Sequence, residues 1–180
     1  LRDVYKRQVK VRASEGVILT GTVSATNSLD VTSDTGSILA AQAGTSLVGR
    51  TVNLSAGEEV GDEALALSTQ SNTVNASAGN GGVYLSESNG LTIGTLTAAG
   101  TDNNVVLNAT QGNITVGSIT ATGGDVTLTA GNGGITATGS GTNVTAGSLT
   151  TSSKTATGAA NKALATNVDA ITATTTSAQA

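Results

Sequence analysis

The chain has 180 residues, a net charge of −4 and a pI near 4.5, and it holds no His, Cys, Met, Trp, Phe or Pro. Without His or Cys there is no Ser-His-Asp or Cys-His pair, no thiolate zinc site and no disulfide framework. So acidic a chain also lacks the basic stripe that nucleic acid requires and the polybasic segment that an anionic membrane surface attracts.

Residues 1–8, LRDVYKRQ, carry four of the chain's charges and Tyr5, and the composition changes at Val9. Asp3 to Gln8 can be written as GAT GTG TAT AAG AGA CAG, which resembles the transposase mosaic end used to build sequencing libraries. The expectation is that this stretch is a translated adaptor, and it is set aside from the fold. The remainder holds five Lys/Arg and eleven Asp/Glu, a net charge of −6.

From Val9 onward one pattern recurs: apolar-x-apolar-x-small-x-x-Gly-x-apolar. It reads VKVRASEGVI from Val9, LDVTSDTGSI from Leu29, VNASAGNGGV from Val74, VVLNATQGNI from Val105 and VTLTAGNGGI from Val126, with a degraded copy, VNLSAGEEV, from Val52. The starts are separated by 20, 23, 22, 31 and 21 residues, and the long interval reads as an insertion around YLSESNGLTIG. A second pattern trails the first as GTVSA from Gly21, GTLTA from Gly94, GSITA from Gly117 and GSLTT from Gly147.

Within a unit the apolar residues alternate with polar ones. Val105, Leu107 and Ala109 point one way, and Val106 and Asn108 the other, a period of two that means strand. The spacing predicts strands at 105–109, 113–116 and 118–122, with Gly112 and Gly117 at bends where a Cβ is unwelcome. With Tyr5 and Tyr84 the only aromatics, the core must be thin and aliphatic, without the ring area globular cores usually bury. A unit of about 20–22 residues cannot cover its own apolar face; stacking units covers it, and each strand pairs with its equivalents above and below. The expected fold is all-β, a parallel β-helix (β-solenoid) over residues 9–150, with layers about 4.8 Å apart. Past residue 150 the pattern fades, and 151–180 reads as a degenerate coil or a low-complexity linker.

The units GDVTLTAGNGGITATG and NNVVLNATQGNITVGSITATGG resemble the repeats of filamentous-haemagglutinin-like adhesins and related autotransporter passengers, over about residues 9–150. The resemblance implies a right-handed β-helical stalk. It also implies export from a Gram-negative cell by an outer-membrane secretion partner or translocator, and an extracellular or cell-surface location.

The reactive groups are sparse. Asp30, Asp34, Glu87, Asp102 and Asp125 fall at different offsets of the unit, and Arg12, Arg50, Lys154 and Lys162 lie far apart. The clustered outer-face carboxylates that a β-helical polysaccharide lyase or hydrolase needs are therefore missing from this segment. No catalytic residue, cofactor or enzymatic activity is expected. Glu58, Glu59, Asp62 and Glu63 form the one dense acidic stretch. They are the weak candidates for a calcium loop, since oxygen ligands suit a hard cation, but their spacing matches no calcium repeat and a solvated loop is the plainer reading. Asn53, Asn75, Asn108, Asn113 and Asn143 open Asn-x-Ser/Thr triplets that glycans use. Thr120-Ala121-Thr122, Thr127-Leu128-Thr129 and Thr136-Ala137-Thr138 raise the idea of an ice-binding ladder, but their offsets place them on different faces.

The functional expectation is a structural stalk segment of a secreted or surface-exposed bacterial adhesin, supporting cell adhesion or biofilm formation. Its partners would be glycans, matrix or cell surfaces, not nucleic acid, and its open ends would self-associate. The alternative is a fragment of a polysaccharide-processing β-helix whose active coils lie elsewhere.

Overall fold

The computed structural model describes residues 7–100 and 103–176, and among them there is no helix. Fifteen strands follow one another: β1 (Gln8–Ala13), β2 (Val17–Leu19), β3 (Thr22–Ser24), β4 (Ser28–Ser33), β5 (Ile38–Ala40), β6 (Ser46–Ala56), β7 (Leu67–Ala78), β8 (Val83–Glu87), β9 (Leu91–Ala98), β10 (Val105–Ala109), β11 (Ile114–Ala130), β12 (Ile135–Ala137), β13 (Val144–Ser153), β14 (Thr166–Asn167) and β15 (Ala170–Thr175). Every pairing between them is parallel, and together they form a β-solenoid of about eight turns.

The turns can be counted along one line of inward side chains. Val17, Ile38, Val60, Val83, Val105, Val126, Leu149 and Ile171 pair in succession, at steps of 21 to 23 residues. All but the last are buried, and Ile171, on the final turn, is 58% exposed. Short β-branched and Leu side chains suit this position because each meets its own kind one layer above and below. Burying one such side chain contributes about 1.5–3 kcal/mol, and the line repeats the gain at every layer.

The first four units stack as the repeat predicts: Val9 on Leu29, Leu29 on Val52, Val52 on Val74. Beyond them the structure departs from the repeat. Val74 pairs with Ile93, not with Val105, whereas Val105 pairs with Val83. YLSESNGLTIG is therefore no insertion; it supplies β8 and the start of β9, which are ordinary members of the stack.

A change of cross-section accounts for the shift. In the first turns the long flat wall is made by β1, β4, 51–56 of β6 and 73–78 of β7. The opposite side is broken into short strands separated by the loops 20–21, 41–45 and 61–66. At β8 that side becomes continuous: Val83 pairs with Val60 and Leu85 with Leu67, so residues 61–66 bulge out while β8 runs straight. At the same level the former long wall acquires a bulge, with Val74 facing Ile93 but Ala76 facing Leu96, and the extra residue bends it. In the next turn Gly117 occupies this bend, where a Cβ would lie 2.5 Å from the carbonyl oxygens of Ile93 and Gly94. From here the flat wall is β8, β10, 126–130 of β11, 149–153 of β13 and β15.

At the front, residues 1–6 lie outside the described residues. The Arg7 carbonyl accepts from the N–H groups of Asn27 and Ser28, and Gln8 opens β1. At the far end Thr157 pairs with Ile135, β14 with β13 and β15 with β13, which makes the last turn. Ile171, Leu149, Leu164 and Ala173 line an apolar hollow of about 450 Å³ there.

Candidate functional site

The acidic stretch lies on the corner after β6 and on the loop that bulges beside β8. Glu58 accepts from Ser37 Oγ at 3.2 Å. Asp62 Oδ1 accepts the Ala64 N–H at 2.8 Å, and the Asp62 and Leu65 backbones bond to each other, so this carboxylate holds the tip of its own loop. Burial pushes the Glu59 carboxyl above its ordinary value, helped by Asp62 and Glu58. Burial likewise raises the Tyr84 phenol, with Glu63, Glu59 and Asp62 adding to it. Glu59, Asp62 and Glu63 thus act on Tyr84, while Glu58 turns to Ser37. Among the described residues no three His, Cys, Asp or Glu side chains are placed to hold one metal ion.

Asp34 pairs with Arg12 at 3.1 Å on the surface, where such a pair is worth about 0–1 kcal/mol. Asp102 lies outside the described residues. Asp125 accepts from Ser148 Oγ at 2.7 Å. Asp30 anchors a polar ladder on the first long wall. Gln8 Nε2 and Ser28 Oγ donate to it at 2.9 Å and Asn53 Nδ2 at 2.6 Å; Asn75 Nδ2 then donates to Asn53 Oδ1 at 2.8 Å, and the Thr95 N–H to Asn75 Oδ1 at 3.0 Å. The Asn53 bond is the main reason the Asp30 carboxyl sits below its ordinary value.

Glu87 does not share the surface with the other carboxylates. It is 0% exposed, and its oxygens accept from Thr69 Oγ1 at 2.8 Å, Ser71 Oγ at 2.9 Å and the N–H groups of Ser71, Ser88 and Asn89 at 3.0–3.4 Å. Five donors are what a buried carboxyl needs to offset its desolvation. The alternation Val83-x-Leu85-x-Glu87 already assigns Glu87 to the inner face; reading it by charge alone puts it outside. Beside it, Arg50, Gln70, Ser71, Asn72 and Asn89 line a shallow polar hollow of about 390 Å³, and Asn89 Oδ1 is buried without a partner.

Of the Asn-x-Ser/Thr positions, Asn143 is buried, bonded by Nδ2 to the carbonyls of Val116 and Gly117 and by Oδ1 to the Ala165 N–H. That geometry leaves no room for a glycan. Asn53 and Asn75 are engaged in the ladder, while Asn108 and Asn113 are exposed.

The three Thr-x-Thr pairs do fall on different rows: Thr127 and Thr129 on the second flat wall, Thr120 and Thr136 on the sides built by the early part of β11 and by β12. Other hydroxyl positions do repeat in register from layer to layer. Thr127, Thr150 and Thr172 stack in one row, and Thr129, Ser152 and Thr174 in the next. On the opposite side Ser28, Thr51, Thr73, Thr92, Thr115 and Thr136 form an unbroken row of six. Set against protein-family models, curated proteins and solved structures, the chain gives no match in any of the three comparisons.

Proposed function

We propose that the chain is a structural stalk segment of a secreted or surface-exposed bacterial adhesin, serving attachment or biofilm formation. The observation that carries this reading is the unbroken inward line from Val17 to Leu149, a stack that keeps its register while its cross-section changes. Eight layers make a rod of roughly 35 Å, whose job is mechanical: it holds something away from a surface. Each turn contacts only its neighbours, so the stack can fold turn by turn, which suits a chain that leaves a cell through an outer-membrane secretion partner or translocator. On the first wall, the row from Ser28 to Thr136 and the Asp30–Asn53–Asn75 ladder offer weak contacts that gain strength by repetition, and glycans or matrix are the partners for that wall. The resemblance of the repeats to filamentous-haemagglutinin-like adhesins supports the same reading.

Sequencing outward through both flanks of the coding region tests it. Further coils behind an export signal and a secretion domain are expected. Neighbouring coils carrying clustered Asp, Lys and Arg would point instead to a polysaccharide-processing enzyme and would overturn the stalk.

A further inference from the structure

We propose that the second flat wall, carried by β10, 126–130 of β11, 149–153 of β13 and β15, binds the surface of ice. Its outward side chains form two rows in register. Val106, Thr127, Thr150 and Thr172 make one, and Asn108, Thr129, Ser152 and Thr174 the other. Parallel pairing sets levels about 4.8 Å apart, and the two-residue step along each strand sets the rows about 6.6 Å apart. The result is a two-dimensional grid of side chains, half-buried at Thr127, Thr129 and Ser152 and exposed at Thr150, Thr172 and Thr174.

Three features of the grid select its occupant. No member of either row is charged; the nearest charges, Asp125 and Lys154, stand at the two margins, engaged with Ser148 Oγ and Asn132 Oδ1. Among the described residues the hydroxyl bonds of these strands are made off the rows, by Ser148 to Asp125 at the margin and by Thr151 and Ser153 with Thr157 inside, and the row hydroxyls are left to solvent. Threonine is also stiff at χ1, and each one presents a methyl beside its hydroxyl on a wall whose strands are tied layer to layer by parallel pairing. Water over such a wall is held by hydroxyls at fixed spacing and confined by methyls between them, so little further ordering is needed to join it to a lattice.

A polymer surface or a protein would need different chemistry. Polysaccharide faces are gripped by aromatic rings, and neither row contains one; Tyr84 pairs with Val106 at the level before the grid begins. A protein interface centres on buried Trp, Tyr or Arg anchors, which the rows also lack. A repeating array of single weak donors acts only against a partner that repeats as well.

The test uses the 180-residue chain in an ice-recrystallisation assay and in partition into slowly growing ice, with a monomeric globular protein of similar mass as reference. The chain is expected to restrain recrystallisation and to enter the ice. Thr150→Lys, at an exposed mid-wall position, is expected to weaken both about tenfold, and Thr127→Lys to do the same. Ser77→Lys, on the other long wall, is expected to change neither. Circular dichroism is run on each variant, and only variants with unaltered β content are compared. Exclusion from ice of the folded chain, activity as high as the parent's in both Thr150→Lys and Thr127→Lys, or retention on crystalline cellulose without retention in ice would each overturn the proposal.

Discussion

Ser71 bonds to Glu87 twice, its hydroxyl donating to Oε2 at 2.9 Å and its backbone N–H reaching both carboxyl oxygens at 3.2 Å. The pair joins β7 to the last residue of β8, the strand that opens the second flat wall, so Glu87 ties the two halves of the stack together from inside. Replacing it with Leu leaves the hydroxyls of Thr69 and Ser71 and the N–H groups of Ser71 and Asn89 without this acceptor, while the Ser88 N–H keeps its bond to the Thr69 carbonyl. The expected loss is about 3–5 kcal/mol, read as a fall in the urea midpoint, and adding Thr69→Val and Ser71→Ala should restore part of it. A midpoint within error of the parent would show that Glu87 ties nothing.

Inward and outward positions should respond differently to the same charge. Leu107 and Leu128 are 1% and 0% exposed; Asp at either place buries an unpaired carboxylate, which is strongly unfavourable. Leu128→Asp should lose its β signal in circular dichroism at temperatures where the parent is folded. Thr127→Asp, one residue away and outward, should fall within about 0.5 kcal/mol of the parent. Equal β content in both variants would contradict the assignment of faces.

Acid should act on two carboxyls with opposite sign. Asp30 lies below its ordinary 3.8, first because of the Asn53 bond, so its stabilising contribution is present above that value and is lost as pH falls through the lowered one. Glu59 lies above its ordinary 4.5, chiefly through burial, so its ionisation costs the folded state as pH climbs. Asp30→Asn should flatten the decline of stability below about pH 4. Glu59→Gln should stabilise the chain at about pH 7 and lose that advantage in acid. Urea titrations across pH give both slopes.

Gly61 has φ of +72°, and a Cβ there would collide with the backbone oxygen of Tyr84. Gly61→Ala should therefore cost more than the roughly 1–2 kcal/mol of left-handed strain alone, because Tyr84 and the start of β8 must also shift. Thermal melting of the variant measures it; an unchanged melting temperature would mean that the loop 61–66 does not pack against β8.

At the far end, Ile171 lines the hollow beside Leu149 and Leu164 and is 58% exposed, and among the described residues β15 pairs on one side only, with β13. The chain is expected to associate end to end, with light scattering showing species above the monomer, and Ile171→Lys is expected to reduce them. A monodisperse monomer at the same concentration would contradict this.

Much of the architecture is legible in the residues because one rule makes it. Alternation in Val105, Leu107 and Ala109 assigns faces, and the 20- to 23-residue step assigns layers. What the repeat does not encode is which side of the solenoid a unit occupies. VNASAGNGGV from Val74 and VVLNATQGNI from Val105 are both strand–corner–strand, and either serves any side with the same chemistry. The transfer at β8 therefore reads as an insertion. The threonine grid is hidden for a related reason: GSLTTSS from Gly147 and AITATTT from Ala170 lack the glycine that marks a unit, so Thr150 and Thr172 are not aligned with Thr127 until the strands are paired. The acidic stretch errs the other way. Glu58, Glu59, Asp62 and Glu63 are neighbours in sequence, but the corner at Val60 and the turn at Asp62 send their side chains apart, Glu58 to Ser37 and Asp62 to its own loop.

The transfer of the flat wall is open to a direct measurement, because the chain has no cysteine of its own. Tyr84 and Val106 are register partners, which places their Cα atoms about 4.8 Å apart, inside the range a disulfide spans. Asn75 and Val106 are the pair that the sequence repeat alone would align. Tyr84→Cys with Val106→Cys should close a disulfide under mild oxidation, with no free thiol by mass and β content unchanged. Asn75→Cys with Val106→Cys should keep both thiols free. Closure of the second pair and not the first would contradict the stacking described for this chain.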